Sequence, residues 1–223
     1  MTTSSDVWRN IFARLAPAQA SAGPARQWRP PGIAHRLMSR RIYLRMPRVS
    51  DWQEWARLRE ESREYLVPWE PAWAPDALSK SAFRRRLRHQ KIGWRDDECY
   101  SFLIFQRETD RMVGGISLSN VRRGVSQSGS LGYWMGRRHA GRGFMTESVG
   151  RLVKFAFSDL RLHRVEAACL PHNDASRAVL EKCGFQREGV ATGYLRINGR
   201  WQDHLLYANL VDRSQGPTKR ERI

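Results

Sequence analysis

Arg138-His139-Ala140-Gly141-Arg142-Gly143-Phe144 is the stretch on which the fold turns. Before it, residues 129–136 read as a strand. After it, residues 144–160 carry Met145, Val149, Leu152, Val153, Ala156 and Leu160 at helical spacing, as one apolar stripe. The heptapeptide is therefore a strand-to-helix turn. A helix N-terminus exposes unpaired backbone N–H groups and a partial positive charge. Gly141 and Gly143 let the backbone approach an anion, and Arg138 and Arg142 add fixed donors. The position suits a diphosphate, although two glycines alone also suit a plain tight turn. The spacing is neither the G-x-G-x-x-G of a dinucleotide fold nor a phosphate loop ending in Gly-Lys-Ser/Thr.

Outward from this turn the periods alternate. Residues 41–46 predict a strand. A helix follows, capped by Ser50 or Asp51 and running to about residue 63, with Trp52, Trp55 and Leu58 on one face. The prolines of Val67-Pro68-Trp69-Glu70-Pro71-Ala72-Trp73-Ala74-Pro75 forbid a helix interior and give a stiff aromatic loop. A basic helix spans roughly residues 76–92. Residues 99–107 and 112–121 predict a hairpin. Beyond the long helix come a buried strand at 164–170 and a short helix at 173–182, ended by Gly184. A second hairpin, 194–197 with 201–210, turns at Asn198-Gly199.

The ends differ in kind. Residues 1–35 form a basic, Pro/Ala-rich extension in which Val7, Trp8, Ile11, Phe12 and Leu15 share one helical face. Residues 36–212 form the compact domain, and 213–223 a polar tail. The net charge of +17 is uneven, with +8 in residues 1–49 and +7 in residues 129–223. Such a field favours polyanions; a genome-wide arginine habit explains it equally well. No apolar run approaches the roughly 18 residues of a membrane span. The N-terminus lacks a secretory core, which predicts a cytoplasmic protein. Cys99, Cys169 and Cys183 are scattered, so neither a disulfide framework nor a metal site is indicated.

A second motif, Pro171-His172-Asn173-Asp174-Ala175-Ser176, leads through the short helix to Gly184-Phe185. Here the sequence resembles the GNAT acetyltransferase superfamily. Arg138, Gly141 and Gly143 match its Arg/Gln-x-x-Gly-x-Gly/Ala motif, and Asn173, Ser176, Gly184 and Phe185 match its Asn-x-x-Ser…Gly-Phe motif. The segments Pro68–Pro71, Ser119–Gly124, Leu131–Tyr133 and Asn198–His204 are similar to the RimJ/RimL branch of ribosomal-protein N-terminal acetyltransferases. The likeness covers residues 40–211.

The resemblance implies an α/β GNAT (acyl-CoA N-acyltransferase) fold, with a mixed, mostly antiparallel sheet of about seven strands flanked by helices. It implies acetyl-CoA as cofactor, no metal, and direct transfer to an amine in a ternary complex. By resemblance, Tyr133, Trp134 and Met135 pair with the pantetheine arm. Arg138, Ala140, Gly141, Arg142, Gly143 and Phe144 hold the pyrophosphate. Asn173 meets the thioester end, and Ser176 donates to the departing thiolate; an ordinary helix cap is the plainer account of that pair. Glu70 is the expected base or amine-binding carboxylate, with Trp69, Asn120, Tyr194 and Asp203 around the acceptor. A surface Glu in an aromatic lid, and an Asp bracing a hairpin, are the plainer alternatives. His172 and His204 are relays or structural hydrogen bonders.

Three readings stay open: an acetyltransferase of the N-terminal alanine or serine of a ribosomal protein, an acetyltransferase of a small amine, amino acid or antibiotic, or a ribosome- or RNA-binding assembly factor with a secondary acetyltransferase site. The run Arg84-Arg85-Arg86 with Arg88 reads as a solvated helix face, or more sharply as a ribosomal RNA contact.

Overall fold

The computed structural model describes residues 36–211. The apolar face at Val7–Leu15 and the polar tail lie outside the described residues. In chain order the elements are β1 (Arg36–Met38), β2 (Ile42–Arg45), α1 (Trp52–Glu60), α2 (Arg63–Leu66), α3 (Lys80–Arg95), β3 (Tyr100–Gln106), β4 (Met112–Arg122), β5 (Ser128–Met135), α4 (Phe144–Lys154), β6 (Arg164–Cys169), α5 (Asp174–Lys182), β7 (Gln186–Ile197) and β8 (Arg200–Leu210). One sheet takes the order β1-β2-β3-β4-β5-β6-β8-β7. Every pair is antiparallel except β5 with β6.

The sheet has eight strands rather than about seven, because three residues ahead of the expected first strand also pair, Leu37 with Leu44. β7 begins at Gln186, eight residues before the predicted hairpin arm. Its early residues are exposed, so no apolar alternation marks them. Asp51 does not cap α1; its carboxylate accepts from the Arg48 N–H (2.6 Å) and pairs with Arg45 (2.6 Å). The first helix stops at Glu60, and the chain turns before α2. The basic helix starts at Lys80 because Ser79 accepts from the Ala82 N–H at 3.1 Å. The long helix leaves α geometry at Phe155, where Phe155–Asp159 widens into a π turn.

β3 shows why the sheet needs helices on both faces. Tyr100, Phe102 and Ile104 point into one core, with Val149, Leu152 and Phe155. Leu103 and Phe105 point into the other, with Trp55, Leu58, Phe83 and Leu87. Strict alternation with both sets apolar is the pattern of a strand buried on each face. On the first face Trp94 meets Tyr100 and Phe102 edge-on, at 4.8 and 5.2 Å. Phe155 meets the same two rings at 5.5 and 5.7 Å. Truncating Phe155 to alanine removes a fully buried ring at this junction. We expect F155A to lose about 3–5 kcal/mol of stability, read as a fall in urea midpoint at unchanged m-value.

Candidate active site

β5 and β6 pair in parallel only from Ser128↔Arg164 to Leu131↔Ala167. Past that point β5 runs on beside β4, and β6 beside β8. The strands splay, and the edge of β5 from Gly132 to Met135 that faces β6 has no strand partner. A cavity of about 1720 Å³ occupies the gap. Successive β5 side chains leave on opposite faces. Tyr133 reaches the α5 side, where its hydroxyl meets Ser176. Trp134 goes to the α1/α3 side and joins the core of Trp55 and Phe83. On β4, Gly115 stands opposite Trp134, and a Cβ there would collide with the indole.

One mouth of the gap is the glycine turn. Arg137–His139 makes a short 3-10 turn, Ala140 is extended, and Gly141 and Gly143 take φ of +72° and +76°. Side chains rarely adopt that region, so both positions call for glycine. The Glu147 N–H bonds to the Gly143 carbonyl at 3.1 Å, and the amides ahead of it at the α4 N-terminus are oriented to receive an anion. Arg138 and Arg142 are exposed beside it. His139 is buried, and burial followed by the two neighbouring arginines lowers its pKa. Arg41, at the start of β2, fixes this loop. It donates to Glu147 from its backbone (2.7 Å) and guanidinium (2.9 Å), and to the Arg142 carbonyl (3.1 Å). Nothing in sequence distinguished Arg41 from the other arginines, and Glu147 reads alone as a first-turn acid.

At the start of α5, Asn173 Oδ1 accepts from the Ser176 N–H at 3.0 Å, so Asn173 caps the helix. Ser176 Oγ lies 2.8 Å from the Tyr133 hydroxyl. Burial pushes the Tyr133 pKa well above its ordinary value, so this phenol stays protonated through the working pH range. By resemblance Tyr133 offers only its backbone. The phenol–serine contact depends on the splay, which no local signal reveals. Cys169 is buried at the end of β6 and lines the same gap, its pKa raised by burial.

On the other face Glu70 is not a free carboxylate. Both its oxygens receive Arg59, Oε1 at 3.2 Å, and Oε2 also receives Trp73 Nε1 at 2.8 Å. Arg59 is itself buried, with Trp73 and Trp134 over its guanidinium at 4.5 and 4.9 Å. Glu70 and Trp69 line the cavity, Trp69 stacking toward His172 at 5.4 Å. Asn120 also lines it, at φ +50° in a bulge of β4, with its Nδ2 buried and unpartnered among the described residues.

Two expected acceptor contacts lie elsewhere. Asp203 is exposed and accepts from the Gly193 N–H at 2.7 Å, bracing the β7–β8 hairpin. Tyr194 packs with Trp69 against Leu170, Leu195 and Ile197, behind the cavity wall. His204 is buried with its pKa lowered by burial, and Nδ1 lies 3.0 Å from the Gln202 carbonyl. The basic run is split as well. Arg85 pairs with Asp76 at 2.5 Å and Arg86 lines the cavity, so only Arg84 and Arg88 of that run are exposed. Among the described residues no cluster of His, Cys, Asp or Glu could hold a metal ion, and no helix is long and apolar enough to cross a membrane.

The acetyltransferase (GNAT) domain family matches residues 41–186. The chain belongs to the GNAT acetyltransferase family. It is an acetyl-CoA-dependent N-acetyltransferase. It is similar to the probable N-acetyltransferase YjcK of Bacillus subtilis (strain 168), 38% identical over 78% of this chain and 96% of that protein. The [ribosomal protein uS5]-alanine N-acetyltransferase of Escherichia coli (strain K12) is 31% identical over 78% of this chain and 89% of its own length. Among solved structures, the ribosomal-protein-S5-alanine acetyltransferase of Vibrio fischeri superposes with a TM-score of 0.75 at 29% identity, covering 80% of this chain and 97% of that one. Mycobacterium smegmatis RimJ in complex with CoA-disulfide gives 0.74 at 30% identity, covering 79% and 84%.

Two consequences are measurable. An alanine at Gly143 must adopt φ +76°, at about 1 kcal/mol of strain or more. We expect G143A to weaken coenzyme A binding about tenfold by titration calorimetry. Burial alone would raise the Glu147 carboxyl, but the Arg41 backbone N–H, Ser39 and the Arg41 guanidinium outweigh it and hold it below the usual range. A depressed carboxyl stabilises the fold fully above its unfolded pKa of about 4.3, and that contribution is lost as pH falls through the lower folded value. E147Q removes this acid-side loss, so its urea midpoint should change less than wild type between pH 5 and pH 3.

Proposed function

We propose that the enzyme acetylates the α-amine of a protein N-terminus, starting with alanine or serine, and that the acceptor is a ribosomal protein. Such an acceptor would place the reaction in the cytoplasm. The carrying observation is the acceptor-side wall: its one carboxylate near the splay, Glu70, is already held by Arg59 and Trp73. That arrangement suits orienting an amine through the remaining lone pair of Oε1 better than stripping a proton from lysine. An α-amine, with a pKa near 7.7–8, is roughly a tenth neutral at pH 7, whereas lysine is neutral to about 0.04%. The proton leaves through water. The names of the E. coli and V. fischeri relatives support the same acceptor class.

In the reaction, pantetheine would pair with the open edge of β5 at Tyr133–Met135, and its diphosphate would sit on the amides between Ala140 and Phe144. The neutral amine attacks the thioester carbonyl carbon and the C–S bond breaks; the Tyr133–Ser176 hydroxyl pair, 2.8 Å apart, donates a hydrogen bond to the departing thiolate, which ends with a proton equivalent to the one the amine releases through water. Asn120 Nδ2 supplies a donor for the acceptor's first peptide carbonyl.

With acetyl-CoA, peptides beginning with Ala or Ser should turn over, and lysine peptides blocked at the N-terminus should not. Turnover confined to small amines overturns the acceptor assignment. The double variant Y133F/S176A should lower kcat about 10²-fold at nearly constant acetyl-CoA KM, each single variant less, because the other hydroxyl remains. Since Tyr133 stays protonated, kcat/KM for the peptide should rise through the amine pKa near 8 and then level off, without a fall up to about pH 10.

A further inference from the structure

Four arginines line the cavity: Arg59, Arg86, Arg122 and Arg123. Three have carboxylate partners, Arg59 with Glu70, Arg122 with Glu166 and Arg123 with Asp97. Arg86 has none among the described residues. It is half-buried on α3, with its guanidinium over Trp55 at 5.2 Å. Arg59 lies over the same indole at 5.7 Å. Two guanidiniums and one carboxylate therefore share one aromatic wall, leaving it a net positive charge. Burial, and then repulsion from Arg59, pull the Arg86 pKa down to about 10, with only Glu70 opposing. The other groups facing this recess do not neutralise it. His89 lies on the same helix and carries no negative charge in either state. Glu98, the second acid on the cavity wall, lies past the end of α3, roughly two and a half helical turns beyond Arg86.

A cation that lines a cleft without a counter-ion of its own is free to receive an anionic group of a ligand. Its place near Glu70, on the face of the sheet that Trp134 occupies, puts that charge on the acceptor's side of the cleft. We propose that Arg86, with the Trp55–Arg59 wall, is a subsite for a carboxylate on the acceptor, so that the enzyme selects N-termini followed within a few residues by Asp or Glu. This rests on the peptide acceptor proposed above. Glu70 takes the ammonium end and Arg86 takes the acid, two opposite charges fixed on one wall. A guanidinium receives a carboxylate bidentately, which fixes direction as well as distance.

The test compares Ala-starting hexapeptides of identical length with Glu, Gln or Lys at positions two, three or four. Wild type should favour the best Glu peptide over its Gln counterpart about tenfold in kcat/KM, the worth of a charge-assisted hydrogen bond. The difference should lie in KM and shrink with added salt. In Arg86→Gln the ratio should fall to about one, and in Arg86→Lys to an intermediate value, which separates recognition from a damaged fold. Arg84→Gln, exposed on the same helix, should keep the wild-type ratio. Turnover of peptides with equal Glu and Gln rates, or a preference that survives Arg86→Gln, overturns the subsite while leaving the acceptor class standing. Turnover of no peptide at all, with small amines accepted, overturns both.

Discussion

Beyond Leu131 and Ala167, β5 and β6 cease to share hydrogen bonds, and that interruption governs the rest of the molecule. A continuous sheet would satisfy every strand edge and leave nothing to bind an extended ligand. Here the free edge is kept open between two rigid halves. β1 to β5 are fastened by the aromatic packing around Phe102 and Phe155, and β6 to β8 by the long β7–β8 pairing. α4 bridges the halves and delivers its N-terminus to the same gap, so an unpaired strand edge and the free amides of a helix start meet at one break in one sheet.

The second constraint is charge. The acceptor wall buries Arg59 among Trp55, Trp73 and Trp134, and a buried guanidinium is tolerable only when paired. Glu70 pairs with it, and the prolines flanking Glu70 hold its loop in place. The carboxylate that the sequence marks as reactive is thus also structural. Its orientation comes from an arginine eleven residues upstream, in α1.

The cofactor half of the site was readable because its chemistry is local. Gly141, Gly143 and the start of α4 fall within a few residues, and the strand-to-helix change brackets them. Asn173 and Ser176 are likewise one helix turn apart. What the sequence hid in both halves is long-range. Arg41 meets Glu147 across 106 residues, Tyr133 meets Ser176 across 43, and the Arg59 that holds Glu70 lies under Trp134, 75 residues on. Asp203 resembled an acceptor contact by its motif, yet its carboxylate is spent on Gly193, a bond set by the bulges of β7. Polar edge residues also hid the first half of β7, since an exposed strand need not alternate, and the three residues of β1 are too few to show a period. The run of arginines on α3 looked uniform as a string. Helical geometry sends its neighbouring members to solvent, to Asp76 and into the cavity.

The opposite faces taken by Tyr133 and Trp134 make β5 intolerant of any change in length. Losing or gaining one residue between Leu131 and Met135 would move the phenol into the tryptophan-lined recess and the indole toward α5. Gly115 on β4 would then face the wrong partner, and both substrates would lose their walls together. Change along β5 can therefore proceed by substitution but not by insertion or deletion.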